Sequence, residues 1–223
     1  LRQPATISCK MNDSLGVMAL HVLLPDFDYQ ENSYRQASVD VYCPGDSLHL
    51  DSQIERMEKD GESTKLLLWG NAADNHLNTS VAWRNGKDAR NQGQMNLRSR
   101  FYPNEEGKQT AEIQLLPSAF TIGEAKWEIK PALITYSDQQ LDINHFALTH
   151  QDQHLLINGR VSNSDNDSIK LSLSGIDVDY VLNLVNFKSV EFGGKASGDA
   201  YLKNPFKQLS AHAQLQVDEF TFE

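Results

Sequence analysis

Apolar and polar residues alternate along almost all of this 223-residue chain, and a period of two is the mark of β-strands with one greasy face and one wet face. From Ala37 to Cys43, the residues Ala37, Val39, Val41 and Cys43 fall on one side and Ser38, Asp40 and Tyr42 on the other. After Pro44-Gly45-Asp46, Leu48 and Leu50 alternate with His49 and Asp51 toward Ile54. The habit returns at Leu66 to Leu68, Val81 and Trp83, Met95, Leu97 and Phe101, then Ala111, Ile113 and Leu115, then Ala125, Trp127 and Ile129. It runs on through Leu141 and Ile143, Leu155 and Ile157, Ile169, Leu171 and Leu173, to Leu209, Ala211, Ala213, Leu215 and Val217.

Short clusters of turn-formers separate these runs: Asn12-Asp13-Ser14, Asp60-Gly61-Glu62, Asn85-Gly86-Lys87, Asn104 to Gly107, Ser162 to Ser168, and Phe192-Gly193-Gly194. Asn85-Gly86 is the strongest hairpin signal among them, because a type I′ turn needs positive φ at both central residues. Turns every 8 to 15 residues or so suit an antiparallel meander rather than βαβ units. Asp179 to Phe187 breaks the pattern. Its apolar spacing and acidic start predict one short helix near 179–187. No linker or low-complexity stretch interrupts the pattern, so residues 1–223 read as one continuous β-rich segment. A dozen strands side by side would span roughly 60 Å. They bury their greasy faces either by packing two sheets together or by curling one sheet over itself.

The charge balance narrows the function classes. Lys and Arg number 20 against 30 Asp and Glu, a formal net charge of −10, and no basic cluster stands anywhere to release counterions from nucleic acid. A hydrophobic share of 39% is too high for a disordered tail. Leu1 is not an initiator Met, no run approaches a membrane span, and Val217 to Glu223 stop inside an alternating pattern. The expectation is an excised segment of a longer protein, so the lack of a signal or anchor here says nothing about where the parent resides.

Motifs with chemistry are weak. No G-x-S-x-G, H-E-x-x-H or phosphate loop occurs, and Gly193 to Gly198 reads as a tight turn leading into a strand. His145, His150 and His154 lack a carboxylate or thiolate partner at zinc spacing, so surface histidines are the reading and no metal is expected. Asp165-Asn166-Asp167 echoes a calcium loop without its glycine and distal Glu. Asp13-Ser14-Leu15, Asp46-Ser47-Leu48 and Asp167-Ser168-Ile169 resemble Asp-Ser acceptor sites of a bacterial periplasmic O-glycosylation system, and equally resemble ordinary turn chemistry. Cys9 and Cys43 each lie on a strand-like run. A cross-strand disulfide and a pair of small buried hydrophobes are both open. The chain is expected not to be an enzyme and to use no cofactor.

The second half resembles a recurring block of the AsmA/TamB-like family. The resemblance is carried, in order, by Ile113-Gln114-Leu115-Leu116-Pro117-Ser118-Ala119-Phe120-Thr121-Ile122-Gly123, Trp127-Glu128-Ile129-Lys130-Pro131, Ile134-Thr135-Tyr136, Leu141 to Phe146 and Leu155 to Gly159. Leu173 to Val181, Phe192 to Gly198 and Leu209 to Phe220 continue it. It covers about residues 110–223, while residues 1–109 agree in style. The resemblance implies an all-β, elongated, curved, antiparallel-rich sheet, the β-taco. It also implies a periplasmic location in a Gram-negative bacterium, in a parent protein anchored in the inner membrane by a tether outside this segment. Phospholipid and an outer-membrane β-barrel assembly partner are the implied partners, and nucleic acid is not.

In that setting the apolar stripe becomes a wall that shields acyl chains. Its candidate lining residues are Val39, Val41, Leu48, Leu50, Val81, Trp83, Leu97, Ile113, Leu115, Trp127, Ile129, Leu155, Ile157, Leu171, Leu173, Leu215 and Val217. The alternative is an ordinary core beneath a non-catalytic interaction module that binds a protein or glycan through its outer face or edge strand.

Overall fold

A computed structural model describes residues 3–14, 16–30, 32–57, 61–86, 91–178, 192–204, 206 and 208–222. The helix expected near 179–187 lies outside the described residues. The rest is all-β. Its sixteen strands, in chain order, are β1 (Thr6–Asn12), β2 (Val17–Tyr29), β3 (Asn32–Pro44), β4 (Ser47–Met57), β5 (Ser63–Ala73), β6 (His76–Asn85), β7 (Asn91–Pro103), β8 (Gln109–Leu115), β9 (Ser118–Ile122), β10 (Ala125–Ile129), β11 (Ala132–Ser137), β12 (Gln140–His150), β13 (Gln153–Val161), β14 (Ile169–Asp177), β15 (Phe192–Lys203) and β16 (Ser210–Phe222). The chain divides into two compact units, Leu1–Phe101 with Ser118–Glu124, and Tyr102–Pro117 with Ala125–Glu223.

The first unit is an antiparallel meander in which each of β1 to β7 pairs with the next, and β9 returns to pair with the start of β7. In the second, β8 pairs β11, then β11 to β16 follow in sequence, and β10 adds to the end of β12. Every one of these ladders is antiparallel, as the short turn spacings require.

Two tight turns carry the geometry that the sequence reading assigned to Asn85-Gly86. Asp74 and Asn75 have φ of 48° and 62°, Asp138 and Gln139 have 44° and 61°, and each pair joins strands paired right up to the turn. The short polar side chains of Asp74, Asn75 and Asp138 tolerate this left-handed region better than most. Gly86 does take φ 69°. Asn85, however, ends β6 without positive φ, and β7 starts only at Asn91, so this is not a two-residue hairpin. Phe192-Gly193-Gly194 is a second correction. These residues lie inside β15, and the β15–β16 register shifts between Gly193 and Lys195, so the glycines serve a bulge rather than a turn.

The disulfide reading is overturned by the register. Cys9 on β1 stands opposite Leu20, and Cys43 on β3 stands opposite Met18. Strand β2 therefore runs between the two cysteines, and both are free. Two strand spacings amount to about 9.6 Å, beyond the roughly 7 Å that a disulfide spans between Cα atoms.

One glycine is needed for packing. Gly93 on β7 stands opposite Trp83 of β6 and Phe120 of β9, whose rings lie 5.9 Å apart. A Cβ at Gly93 would overlap both side chains, whereas one at Gly70 would meet Leu50 at an ordinary 3.6 Å. Gly93→Val is therefore expected to destabilise the chain by about 1–3 kcal/mol through overpacking. Gly70→Ala should be neutral or stabilising by up to about 1 kcal/mol. Urea unfolding of both variants checks this, and equal midpoints would sink the packing argument.

Candidate functional site

Antiparallel pairing puts directly opposed residues on the same face of a sheet, so the registers sort every side chain. In the first unit one row runs Ile7, Val22, Val39, Ser52, Leu68, Val81, Met95, and the next Cys9, Leu20, Val41, Leu50, Gly70, Thr79, Leu97. On the same face Leu48 stands opposite Ala72, and Trp83 lies between Leu66 and Gly93. The first-unit candidates Val39, Val41, Leu48, Leu50, Val81, Trp83 and Leu97 thus share one face. Each is half-buried.

The second unit builds a comparable face. Ile113, Ile134, Ile143, Gly159 and Ile169 form one row, and Phe146, Ile157, Leu171 and Ala200 another. A third runs Ile129, Leu148, Leu155, Leu173, Gly198, Leu215, and Val217 stands opposite Ala196. Leu115 faces Ala132, and Trp127, two residues before Ile129 on β10, has its ring 5.4 Å from His150. Bulges keep the faces apolar where the spacing slips. His145, at φ 56°, absorbs the shift between Ile143 and Phe146 on β12, and its backbone N–H donates to Asn158 Oδ1 at 3.1 Å.

Burial separates the two units. Among the described residues every buried apolar side chain belongs to the second: Leu115, Ala125, Trp127, Ile129, Ala132, Val161, Ile169, Ile176 and Ala196. Among the described residues of the first unit no apolar side chain is buried. Leu115, Trp127 and Ile129 are accordingly packed core. Ile113, Leu155, Ile157, Leu171 and Leu173 are half-buried, and Leu215 and Val217 on β16 are exposed.

Sequence reasoning missed Leu20 and Val22, which lie in the same rows as Val41 and Val39. The run Val17 to Leu24 is apolar on both parities, so its alternation is hidden. It also missed Leu148, because the bulge changes which parity faces the apolar side.

The opposite faces are polar and self-paired in the second unit. Asp199 accepts from Ser172 Oγ at 2.7 Å and from Lys170 Nζ at 2.9 Å, and Lys170 lies over the Tyr201 ring at 5.8 Å. Arg160 Nε donates to Asp142. Ser162, Ser164 and Asp167 hydrogen-bond one another around the loop after β13. On the apolar side, His150 shares the parity of Phe146 and Leu148, and its Nδ1 lies 2.7 Å from the Lys126 carbonyl. No group of three or more His, Cys, Asp or Glu among the described residues is placed to hold a metal ion.

What the fold defines is an antiparallel β-array that is apolar on one side and polar on the other within each unit. No protein-family model matches the chain, and neither a curated protein nor a solved structure does.

Two measurements check these assignments. Trp127→Ala should cost about 3–5 kcal/mol, whereas Leu50→Ala, half-buried, should cost less than about 2; equal losses would refute the contrast between units. The second concerns Asp199, whose carboxyl is held below the usual range by the Ser172 hydroxyl first and by Lys170 next. A lowered folded-state pKa contributes stability above the unfolded-state value, and that contribution is lost as pH falls through the folded value. Ser172→Ala should raise the Asp199 midpoint in a carboxyl NMR titration, and an unmoved midpoint would reject the hydroxyl as its cause.

Proposed function

We propose that this chain is a periplasmic segment of an AsmA/TamB-type protein, its parent anchored in the inner membrane of a Gram-negative bacterium. Its apolar face is the wall of a trough that shields phospholipid acyl chains between the inner and outer membranes. In the same setting it supports outer-membrane protein assembly with a β-barrel partner. The reading rests on the motif order from Ile113 to Phe220. The observation that carries it is the apolar face of the first unit, seven strands wide with no buried apolar side chain among the described residues.

The physics is simple. Each methylene taken from water onto an apolar wall is worth roughly 0.8 kcal/mol, so acyl chains gain from lying along such rows while a headgroup stays wet. Passage needs no covalent step. It needs an apolar path without a deep trap, and half-buried Val, Leu and Ile side chains provide shallow, similar contacts.

A protein-binding module is the second reading, favoured by the edge strands. β1 pairs only with β2 and β16 only with β15 among the described residues, and Ile7 and Met11 on β1 are 68% and 69% exposed. An edge of this kind can accept a further strand.

A photo-crosslinking residue at Leu50 or Ile157 in the parent protein, with Asp51 and Asn158 as opposite-face controls, separates the readings. Phospholipid is expected on the apolar-face positions at ten times or more the control yield. Leu50→Arg and Ile157→Arg are expected to reduce transport while the protein still accumulates. Crosslinks to protein alone, or equal lipid yield on both faces, would reject the trough.

A further inference from the structure

We propose that the polar face of the first unit is a binding surface for a neutral oligosaccharide, centred on Trp69. This is independent of the lipid reading, which concerns the other face. The register places Asp40, Asp51 and Trp69 side by side in one row across β3, β4 and β5, and Gln53 and Leu67 side by side in the next. These five residues and Gln94 line a shallow depression of about 470 Å³.

Three features of this depression are open to a ligand. The first is the exposed apolar surface. Leu67 and Trp69 lie on the polar side of β5 and are 42% and 43% exposed, much as Leu66 on the apolar side is at 41%, so two large apolar side chains stand among polar neighbours. A fold gains little from an indole left in water, whereas a ligand that covers it recovers that area.

The second is the carboxylate pair. Asp40 stands directly opposite Asp51, about 5 Å apart at Cβ, an arrangement of like charges that destabilises a sheet. His21 Nδ1 lies 2.6 Å from Asp40 Oδ1, but Asp51 has no side-chain partner among the described residues. The third is unspent hydrogen-bonding capacity. Gln53 likewise has no side-chain partner among the described residues, and Gln94 uses its amide nitrogen on Ser80 and Asn96, both at 3.0 Å, which leaves its carbonyl oxygen to accept.

Together these groups suit hydroxyl donors beside a ring. Carboxylates accept from hydroxyls in charge-assisted bonds about twice as strong as neutral ones, and amides both donate and accept. The negative face of an indole attracts the slightly positive C–H face of a pyranose by the same quadrupole that orders aromatic pairs. The carboxylates repel nucleic acid, phosphate and anionic glycans. A quaternary ammonium is better served by a cage of several rings than by one. An open depression also suits an extended chain lying across the strands better than a small molecule, which needs enclosure.

The test titrates the 223-residue chain with cellotetraose, chitotetraose and maltotetraose, followed by the Trp69 indole N–H resonance and by calorimetry. At least one sugar should bind saturably. Trp69→Ala and Asp51→Asn should each weaken it at least tenfold, Trp69→Tyr should recover part of the loss, and Leu50→Ser on the opposite face should leave it unchanged. Circular dichroism and thermal midpoints establish that each variant is folded. Should Trp69→Ala fail to fold, Asp51→Asn and the resonance shift carry the decision. Absence of saturable binding to all three sugars overturns the proposal, as does binding indifferent to both Trp69→Ala and Asp51→Asn. Tighter binding of a tetramethylammonium or oligolysine probe that depends on Trp69 overturns it in favour of a cation site.

Discussion

Everything in this structure depends on antiparallel register. With a side-chain period of two, a slip of one residue between neighbouring strands turns a whole strand's apolar set toward water. The rows that run from Ile7 to Met95 and from Cys9 to Leu97 exist only because six successive ladders keep step. Tight turns at Asp74-Asn75 and Asp138-Gln139 fix the step locally. Bulges at His145 and between Gly193 and Lys195 repair it where the spacing slips.

Keeping step does not by itself bury anything. In the second unit β10 pairs with the end of β12, and Trp127, Ile129, Val161 and Ile169 are buried. The first unit has comparably apolar rows but leaves them half-buried, with Ile7 and Met11 on β1 and Leu66 on β5 exposed. Apolar area that folding leaves open favours any ligand able to cover it, which is why that face supports the lipid reading. The polar faces differ as well. In the second unit Asp199 pairs with Lys170 and Asp142 with Arg160, while in the first Asp40, held by His21, stands opposite Asp51 beside an exposed indole.

Much of this was legible in the alternation. All seven first-unit candidates and the second-unit residues Ile113, Leu155, Ile157, Leu171, Leu173, Leu215 and Val217 fall in apolar rows, because parity along a strand survives folding. Parity failed where both sides of a strand are apolar, as in Val17 to Leu24 and Leu66 to Trp69, and where a bulge changes it, as before Leu148. Cys9 and Cys43 looked like disulfide partners because each sits on a strand. Nothing in their spacing reveals that β2 runs between them.

The sequence by itself determined that the chain is all-β, antiparallel and two-faced, since period and turn spacing are local properties that each strand carries alone. Only the tertiary structure decided which of those residues are packed and which are open. Burial depends on what lies across from a side chain, and that is set by pairings between residues far apart in the chain. It put Leu115, Trp127 and Ile129 in a core, left Leu50 and Val41 half-open, and set Trp69 in the open beside two carboxylates.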